Sequence, residues 1–363
     1  MISNSDIGDN RGRAENVCFD VKPLNRSLLP QIESKIDNLN KPLKSLGRLE
    51  ELAAQIALVQ QSLTPTLTHP CHILYGADHG IEAEGVSASP REVTWQQMIN
   101  FTKGGGGVNM FCRQHNIELF IVDVGVDYDL TATQGIINKK IARGTANFLY
   151  GPAMSAEQME QALKIGAQMA DCTIENGCKL LSIGEMGIAN TSASSLWMSL
   201  LCNIPLAECI GAGSGLNSAG VEHKYKILKA ALQNFQIHKP HCNTTDIIAY
   251  FGGFEMVAAI GSILRAAERG VVTVIDGFII SACALAAIKL CPNAKEYMIF
   301  AHCGNESGHK KLLDYLEVRP ILNLGLRLGE GTGALCAYPI IDSAVRMINQ
   351  MNNFENANIT KYF

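Results

Sequence analysis

The stretch KLLSIGEMG, residues 179 to 187, carries the pattern that decides the fold: a short apolar run that ends in glycine. Such a run is typical of a strand buried on both faces. Three further runs end in the same way: His72–Tyr75 before GADHG, Ile117–Val122 before DVGV, and Val271–Ile275 before DGF. Helical stretches alternate with these runs, so the sequence predicts an α/β fold with a Rossmann-like parallel sheet flanked by helices.

Capping signals and apolar spacing predict three helices. Ser155 and Gln158 form a capping box, and Gly177 ends the helix that follows. Apolar residues spaced by three and four predict an amphipathic helix over residues 46–63. A last helix is predicted over residues 334–351, with an apolar face made of Ile340, Ile341, Ala344 and Ile348.

The last helix is expected to return to the first, so that both chain ends build one small unit. The predicted division is a flexible arm over residues 1–20, a small helical domain from residues 21–70 and 335–363, and a large α/β catalytic domain over residues 71–334.

The composition disfavours several classes of protein. Of the 363 residues 47% are hydrophobic and 18% charged, and the net charge of −4 gives no basic footprint for nucleic acid or an anionic membrane. The apolar stretch over residues 271–290 contains Asp276 and Gly277, which predict a buried strand, turn and helix rather than a membrane span. Twelve cysteines without a CxxC pair, and an N-terminus without an apolar secretory segment, predict reduced thiols and a cytoplasmic location.

Four glycine-rich turns are candidates for a ligand site, because ligands of open parallel sheets bind at the carboxyl ends of the strands. The turns span residues 76–94, 184–191, 211–215 and 327–334. Their backbone N–H groups, together with helix N-termini, suit a phosphate. No P-loop and no dinucleotide fingerprint is present, which disfavours kinases and NAD-dependent dehydrogenases. Taken singly, each turn is as well explained as a tight turn that the fold requires.

Several polar residues leave two interpretations open. Glu330, between two glycines, is either a general base presented to a cleft or a glutamate in a surface turn, and Glu185 poses the same choice. Asp78 and His79, with His302 and His309 elsewhere, resemble a metal or proton-relay group. Without HExxH or a zinc spacing, hydrogen-bonded core histidines are the favoured interpretation. For Lys224 the residues alone favour a solvated helix lysine.

Six motifs, in order, resemble the nicotinate-nucleotide:dimethylbenzimidazole phosphoribosyltransferase family over residues 39–351. They are KPLKSLGRLEELA (41–53), ADHGIEAEGVSASPREVT (77–94), GEMGIANT (184–191), GGFEMVAAIG (252–261), DGFIISACALAA (276–287) and LRLGEGTGA (326–334). The resemblance implies a homodimer with an α/β large domain and a small helical domain.

The resemblance also implies site residues. Glu330 matches the catalytic base and Glu185 a further active-site position, while Ser89 and Gln97 match positions lining the benzimidazole pocket. Lys224 suits a substrate phosphate or carboxylate. GEMGIAN and the GAGSG turn would hold the nucleotide's phosphate and ribose through Gly184, Gly187, Asn190, Gly211 and Gly213. Gly329 and Gly331 are further expected substrate-binding positions.

The implied substrates are nicotinate mononucleotide and 5,6-dimethylbenzimidazole, and the products are α-ribazole 5′-phosphate and nicotinate. Nicotinate leaves from a pyridinium glycoside as a neutral ring nitrogen, so neither a metal nor a cofactor is expected, and one base suffices. Two alternatives stay open. One is transfer to another base such as adenine, a different benzimidazole or a phenol, and the other is a non-catalytic nucleotide-binding protein.

Overall fold

The computed structural model describes residues 18–213 and 215–363. Its six strands form one parallel sheet in the order β3-β2-β1-β4-β5-β6. The strands are β1 Cys71–Ala77, β2 Glu118–Gly125, β3 Ile136–Asn138, β4 Leu180–Met186, β5 Val272–Ile275 and β6 Met298–Phe300. The predicted α/β fold with a Rossmann-like parallel sheet is confirmed.

Thirteen helices are assigned in the described ranges. They are α1 Leu29–Asp37, α2 Arg48–Val59, α3 Glu92–Thr102, α4 Gly107–His115, α5 Ala156–Glu175, α6 Asn190–Cys202, α7 Leu206–Cys209, α8 Ser218–His238, α9 Thr244–Phe251, α10 Phe254–Glu268, α11 Phe278–Leu290, α12 His309–Tyr315 and α13 Thr332–Gln350. Short 3₁₀ segments lie at Arg26–Leu28, Gly80–Glu84 and Pro292–Tyr297.

The four apolar runs found in the sequence are the four central strands β1, β2, β4 and β5. Successive side chains of β1 enter two different cores, because neighbouring residues of a strand point to opposite faces. Tyr75 belongs to the larger core and hydrogen-bonds Ser262 of α10 at 2.6 Å. Leu74 belongs to the second core, with Met98 of α3 and Val108 of α4. Both faces of the sheet are therefore covered by helices.

The helix predicted between the capping box and Gly177 is α5. Ser155 caps it as predicted: its hydroxyl accepts from the Gln158 N–H at 3.2 Å, and the Gln158 side chain accepts from the Ser155 N–H at 3.0 Å. Glycines bring α5 and α10 into close contact, because a β-carbon at Gly166 would collide with the Ala258 backbone. The backbones of α5 and α10 therefore pack directly against each other at this glycine.

The chain ends meet as predicted, through contacts between α2 and α13. Helix α2, Arg48–Val59, is shorter than the predicted span. In α13 the predicted apolar face is right for Ile341, Ala344 and Ile348, which are buried, and wrong for Ile340, which is 37% exposed. Most of the predicted N-terminal arm, residues 1–17, lies outside the described residues. The division into two domains stays a prediction.

The apolar stretch over residues 271–290 forms β5, a turn and α11, as predicted. Within the described ranges, no helix combines the length and the hydropathy that crossing a bilayer requires. All twelve cysteines are free thiols.

Candidate active site

A cavity of about 220 Å³ lies at the carboxyl ends of β4 and β5, beside that of β1. The sheet order reverses between β1 and β4, and doubly wound folds bind ligands at such a point. All four glycine-rich turns contribute walls, each through one or more lining residues: Ser89, Gly187, Gly213 and Gly329 represent the four. The turns that looked separate in the sequence share one cavity.

Glu330 lines this cavity and is 5% exposed, so the surface-turn interpretation is wrong. Its φ of 65° places a non-glycine residue in the left-handed region, a strained backbone conformation that is common at functional sites. Its Oε2 accepts from the Val108 N–H at 3.0 Å, in the first turn of α4. Burial raises the pKa of Glu330, while the N–H groups of Val108 and Gly107 oppose that rise.

A buried histidine that sequence reasoning missed holds the Glu330 backbone. His72 Nε2 lies 3.0 Å from the Glu330 carbonyl oxygen, and its Nδ1 lies 2.7 Å from Ser182 Oγ. A carbonyl can only accept, so Nε2 carries the proton and Nδ1 accepts from the serine hydroxyl. Burial lowers the pKa of His72 to about 4, which keeps the ring neutral. A β-carbon at Gly184 or Gly331 would collide with this ring.

Glu185 lies at the end of β4, is 5% exposed and lines the same cavity. Its backbone oxygen accepts from the Glu330 N–H at 3.3 Å, and its carboxylate Oε2 accepts from Asn190 Nδ2. A β-carbon at Gly329 would collide with Glu185 Oε1. Burial raises the pKa of Glu185 well above its usual value; the Asn190 hydrogen bond opposes this, and the charges of Glu255, Asp276 and Glu330 add to it.

Asp276, which follows β5, adds a third carboxyl group to the cavity wall. Its Oδ1 accepts from the Ala334 N–H at 3.0 Å, in the first turn of α13. Burial raises the pKa of Asp276 to about 7 against the opposing backbone N–H groups. His302 also lines the cavity, and its Nδ1 lies 3.7 Å from Asp276 Oδ1. An acid directly after a strand was the available signal for Asp276.

Lys224 is 1% exposed in α8, so the expectation of a solvated lysine is wrong. Its ammonium donates to Thr191 Oγ1 at 2.8 Å, and it lies beside Gly213. Thr191 and Gly213 line the cavity next to the N-terminus of α6. Burial lowers the pKa of Lys224 to about 8, and among the described residues no carboxylate pairs with it. This corner combines an unneutralised cation with a helix N-terminus, which suits an anion.

Arg327 is a cationic residue of the cavity wall that the sequence analysis did not single out. It lies near Glu306. Burial raises the pKa of Glu306, and the positive charge of Arg327 partly opposes that rise. The lining also contains the apolar residues Val86, Val93, Met186 and Ile188, together with Ser89 and Gln97. A flat apolar ring with a few polar atoms fits such a wall.

The structure places most of the predicted site residues around the cavity. Those that line it are Glu330, Glu185, Ser89, Gln97, Gly187, Asn190, Gly213 and Gly329. Four others lie outside the lining: Gly184 and Gly331 against His72, Gly211 against Ser307, and Lys224 behind Thr191.

His79 and His309 are hydrogen-bonded core residues, as favoured from the sequence. His79 Nε2 lies 2.5 Å from Glu255 Oε1, and His309 Nε2 lies 3.1 Å from Ser281 Oγ. Across the described ranges, no group of three or more histidine, cysteine, aspartate or glutamate side chains is arranged to hold a metal ion.

Comparison with known proteins agrees with this geometry. A family profile described as phosphoribosyltransferase matches residues 21–359. A protein from Phocaeicola vulgatus named nicotinate-nucleotide–dimethylbenzimidazole phosphoribosyltransferase is 55% identical over 345 residues, covering 95% of this chain and 99% of the relative. A protein of the same name from a Janthinobacterium species is 44% identical, covering 93% of this chain and 97% of the relative.

Solved structures agree as well. The crystal structure of CobT from Thermus thermophilus superposes with a TM-score of 0.88 at 37% identity, covering 92% of this chain and 99% of that one. Sequence, fold and cavity therefore lead to one conclusion: the chain belongs to the nicotinate-nucleotide–dimethylbenzimidazole phosphoribosyltransferase family.

Proposed function

We propose that this protein transfers the phosphoribosyl group of nicotinate mononucleotide to 5,6-dimethylbenzimidazole. The products are α-ribazole 5′-phosphate and nicotinate, and the configuration at the ribose C1′ is inverted. The names of the relatives support the substrates. The single observation that carries the chemistry is Glu330, a buried carboxylate fixed by backbone N–H groups at the edge of a cavity that also has a cationic corner.

The cationic corner is the proposed phosphate site. The Lys224 ammonium lies behind Thr191, to which it donates a hydrogen bond. At Gly213 and at the N-terminus of α6, the phosphate can come close to backbone N–H groups. A phosphate placed there neutralises a lysine that otherwise carries its charge without a carboxylate partner. Arg327, on another part of the wall, offers a bidentate donor to the nicotinate carboxylate. The apolar wall with Ser89 and Gln97 is the proposed place of the benzimidazole ring.

Glu330 rather than Glu185 is the proposed general base. The N–H groups of Gly107 and Val108 favour the ionised form of Glu330, and a base must be ionised to accept a proton. Glu185 is more strongly driven toward its neutral form, because burial and three neighbouring carboxyl groups act in the same direction. Of the two carboxyl groups, Glu330 is therefore the one that ionises more readily.

The chemistry needs one proton transfer. A benzimidazole nitrogen attacks C1′ from the face opposite nicotinate, and nicotinate departs with the bonding electrons as a neutral ring. The second benzimidazole nitrogen then releases its proton to Glu330. Negative charge on the wall stabilises the oxocarbenium-like transition state, and fixed positions contribute much of the rate.

The test is to incubate the protein in EDTA with both substrates and to quantify nicotinate and α-ribazole 5′-phosphate. Glu330→Gln is expected to lower kcat by about 10² to 10⁴-fold, because a general base is worth that much. Glu185→Gln is the matched comparison: an amide resembles a neutral acid, so its loss of kcat should be far smaller. Absence of product with the native protein, or equal losses in both variants, would refute the assignment.

Three further statements about the protein are proposals. The family resemblance implies a homodimer, the twelve cysteines without a CxxC pair favour a cytoplasmic location, and the resemblance together with the contacts between α2 and α13 supports a small domain made of residues 21–70 and 335–363. Light scattering of the purified protein checks the first. A mass of one chain, 39.3 kDa, at assay concentration would contradict it.

A further inference from the structure

A wholly buried pair lies behind the cavity and is not used by the proposed reaction. His79 follows β1 and Glu255 lies in the first turn of α10; both side chains are 0% exposed, and His79 Nε2 is 2.5 Å from Glu255 Oε1. Two glycines make room for it. A β-carbon at Gly253 would lie 2.5 Å from His79 Nε2, and one at Gly187 would lie 2.8 Å from Glu255 Oε1. Because Gly187 lines the cavity, the pair sits directly behind its wall.

One amide links this pair to the active-site carboxyl groups. Asn190 Nδ2 has two hydrogens: it donates to Glu185 Oε2 and approaches Glu255 Oε1 at 3.5 Å. The nitrogen thus bridges the two carboxyl groups. Because the carbonyl oxygen of a neutral carboxyl group is the better acceptor, the hydrogen bond to Glu185 Oε2 favours a proton on Oε1, the oxygen that lies against Gly329 in the Glu330 turn.

The charges around Glu185 come from several elements. Glu255 of α10, Asp276 after β5 and Glu330 before α13 all oppose its ionisation, after the larger effect of burial. Glu255 itself is faced by His79 after β1 and by the Cys283 thiol of α11, whose pKa is raised by burial and then by Glu255 and Glu185. Of these neighbours, Glu255 alone shares a bridging group with Glu185 among the described contacts.

We propose that Glu255, held by His79, is a positioning residue that orients the Asn190 amide and keeps Glu185 neutral, with its proton on Oε1. The inference rests on the proposed function, because it explains why only one of two adjacent carboxyl groups acts as the base. An ionised Glu185 would place a second negative charge beside Glu330 and favour the protonated, inactive form of the base. Glu255 thereby protects the basicity of Glu330 without touching substrate.

The experiment titrates Glu185 directly in the full-length protein by infrared difference spectroscopy. The carbonyl stretch of its protonated carboxyl group is identified as the band that Glu185→Gln removes. Glu255→Gln keeps the shape and an acceptor oxygen but removes the charge, so the midpoint should fall by about one pH unit, a tenfold change in ionisation. Asn190→Ala removes the opposing hydrogen bond, so the midpoint should rise. Glu268→Gln, at the far end of α10, is the matched control and should leave the midpoint unchanged.

Opposite shifts separate a specific role from general damage to the fold, which would move both midpoints in the same direction. An unchanged midpoint in Glu255→Gln, or shifts of one sign, overturns the proposal. If Glu255→Gln does not fold, Glu255→Asp decides: it withdraws the charge by one methylene, so its midpoint should fall by a smaller amount, and no fall refutes the idea. Because the titration needs no substrate, failure of the native protein to form product would refute the proposed function alone.

Discussion

Replacing Lys224 by methionine is expected to make the substrate-free protein more stable and the enzyme worse. Methionine keeps most of the side-chain volume of a residue that is 1% exposed, but it removes an ammonium that has no carboxylate partner among the described residues. Burial lowers the pKa of Lys224 from 10.5 to about 8. Carrying this charge at pH 7 therefore costs about 3 kcal/mol, since each unit corresponds to about 1.4 kcal/mol.

The sign of the pH dependence follows from this shift. The pKa of the folded protein is below that of the unfolded chain, so the unfolded chain binds the extra proton and the native protein is destabilised below pH 8. The cost declines between pH 8 and 10.5, to below about 1 kcal/mol at pH 10. Losing the hydrogen bond to Thr191 destabilises the variant by about 1 kcal/mol, so the net gain in stability is about 2 kcal/mol at pH 7. For a chain of this length that is about 3 °C in Tm.

Thermal and urea unfolding of both proteins at pH 7 and pH 10, with and without nicotinate mononucleotide, measures these differences. Lys229→Met, an exposed position on the same helix, is the control and should change stability by less than about 0.5 kcal/mol. Substrate affinity of Lys224→Met should fall by about ten- to a hundredfold, because a charge-assisted contact is lost. A variant that is less stable at pH 7, or a stability difference that is the same at both pH values, would refute the reasoning.

Three other substitutions have definite expected outcomes. Gly329→Ala drives a methyl group into Glu185 Oε1 and should lower kcat at least about tenfold with the circular dichroism spectrum unchanged; full activity would contradict the packing. Gly166→Ala places a methyl group against the Ala258 backbone and should destabilise the protein by about 3 kcal/mol in urea unfolding, whereas a neutral result would mean that the helices can separate. Ser155→Ala removes a helix cap and should cost about 1 kcal/mol of stability, with kcat unchanged in the product assay.

The sheet was predictable because its central strands are local patterns. β1, β2, β4 and β5 are apolar runs that end in glycine. A strand that is buried on both faces is apolar along its whole length, so it shows neither the alternation of a half-buried strand nor the spacing of a helix. β3 and β6 were missed because three residues are too few to form a pattern, and each lies at an edge of the sheet. The α5 boundaries were predictable because a capping box is a contact between residues three apart.

The site was predictable only where a local pattern or the family motifs identified a residue. His72 has partners 110 and 258 residues away, so nothing in its neighbourhood predicts that it holds Glu330. Lys224 occupies a helix position that resembles a solvated one, and only the packing of α8 near Thr191 buries it. Ile340 was assigned to the apolar face from its sequence position, but the face follows the packing against α2, which leaves it exposed. Long-range contacts decide such cases.

The contacts of Glu330 also set the order in which the active site can be assembled during synthesis. Its three anchors, His72, the start of α4 at Gly107 and Val108, and Glu185, all precede it in the chain. The ribosome therefore synthesises most of the apolar wall and of the cationic corner before it adds the proposed base. Until the Glu330 turn arrives, His72 Nε2 and the Val108 N–H lack the partners that they have in the folded protein. Activity thus reports completion of the fold: a chain that stops before the Glu330 turn contains nearly every proposed binding group and has no base to use them.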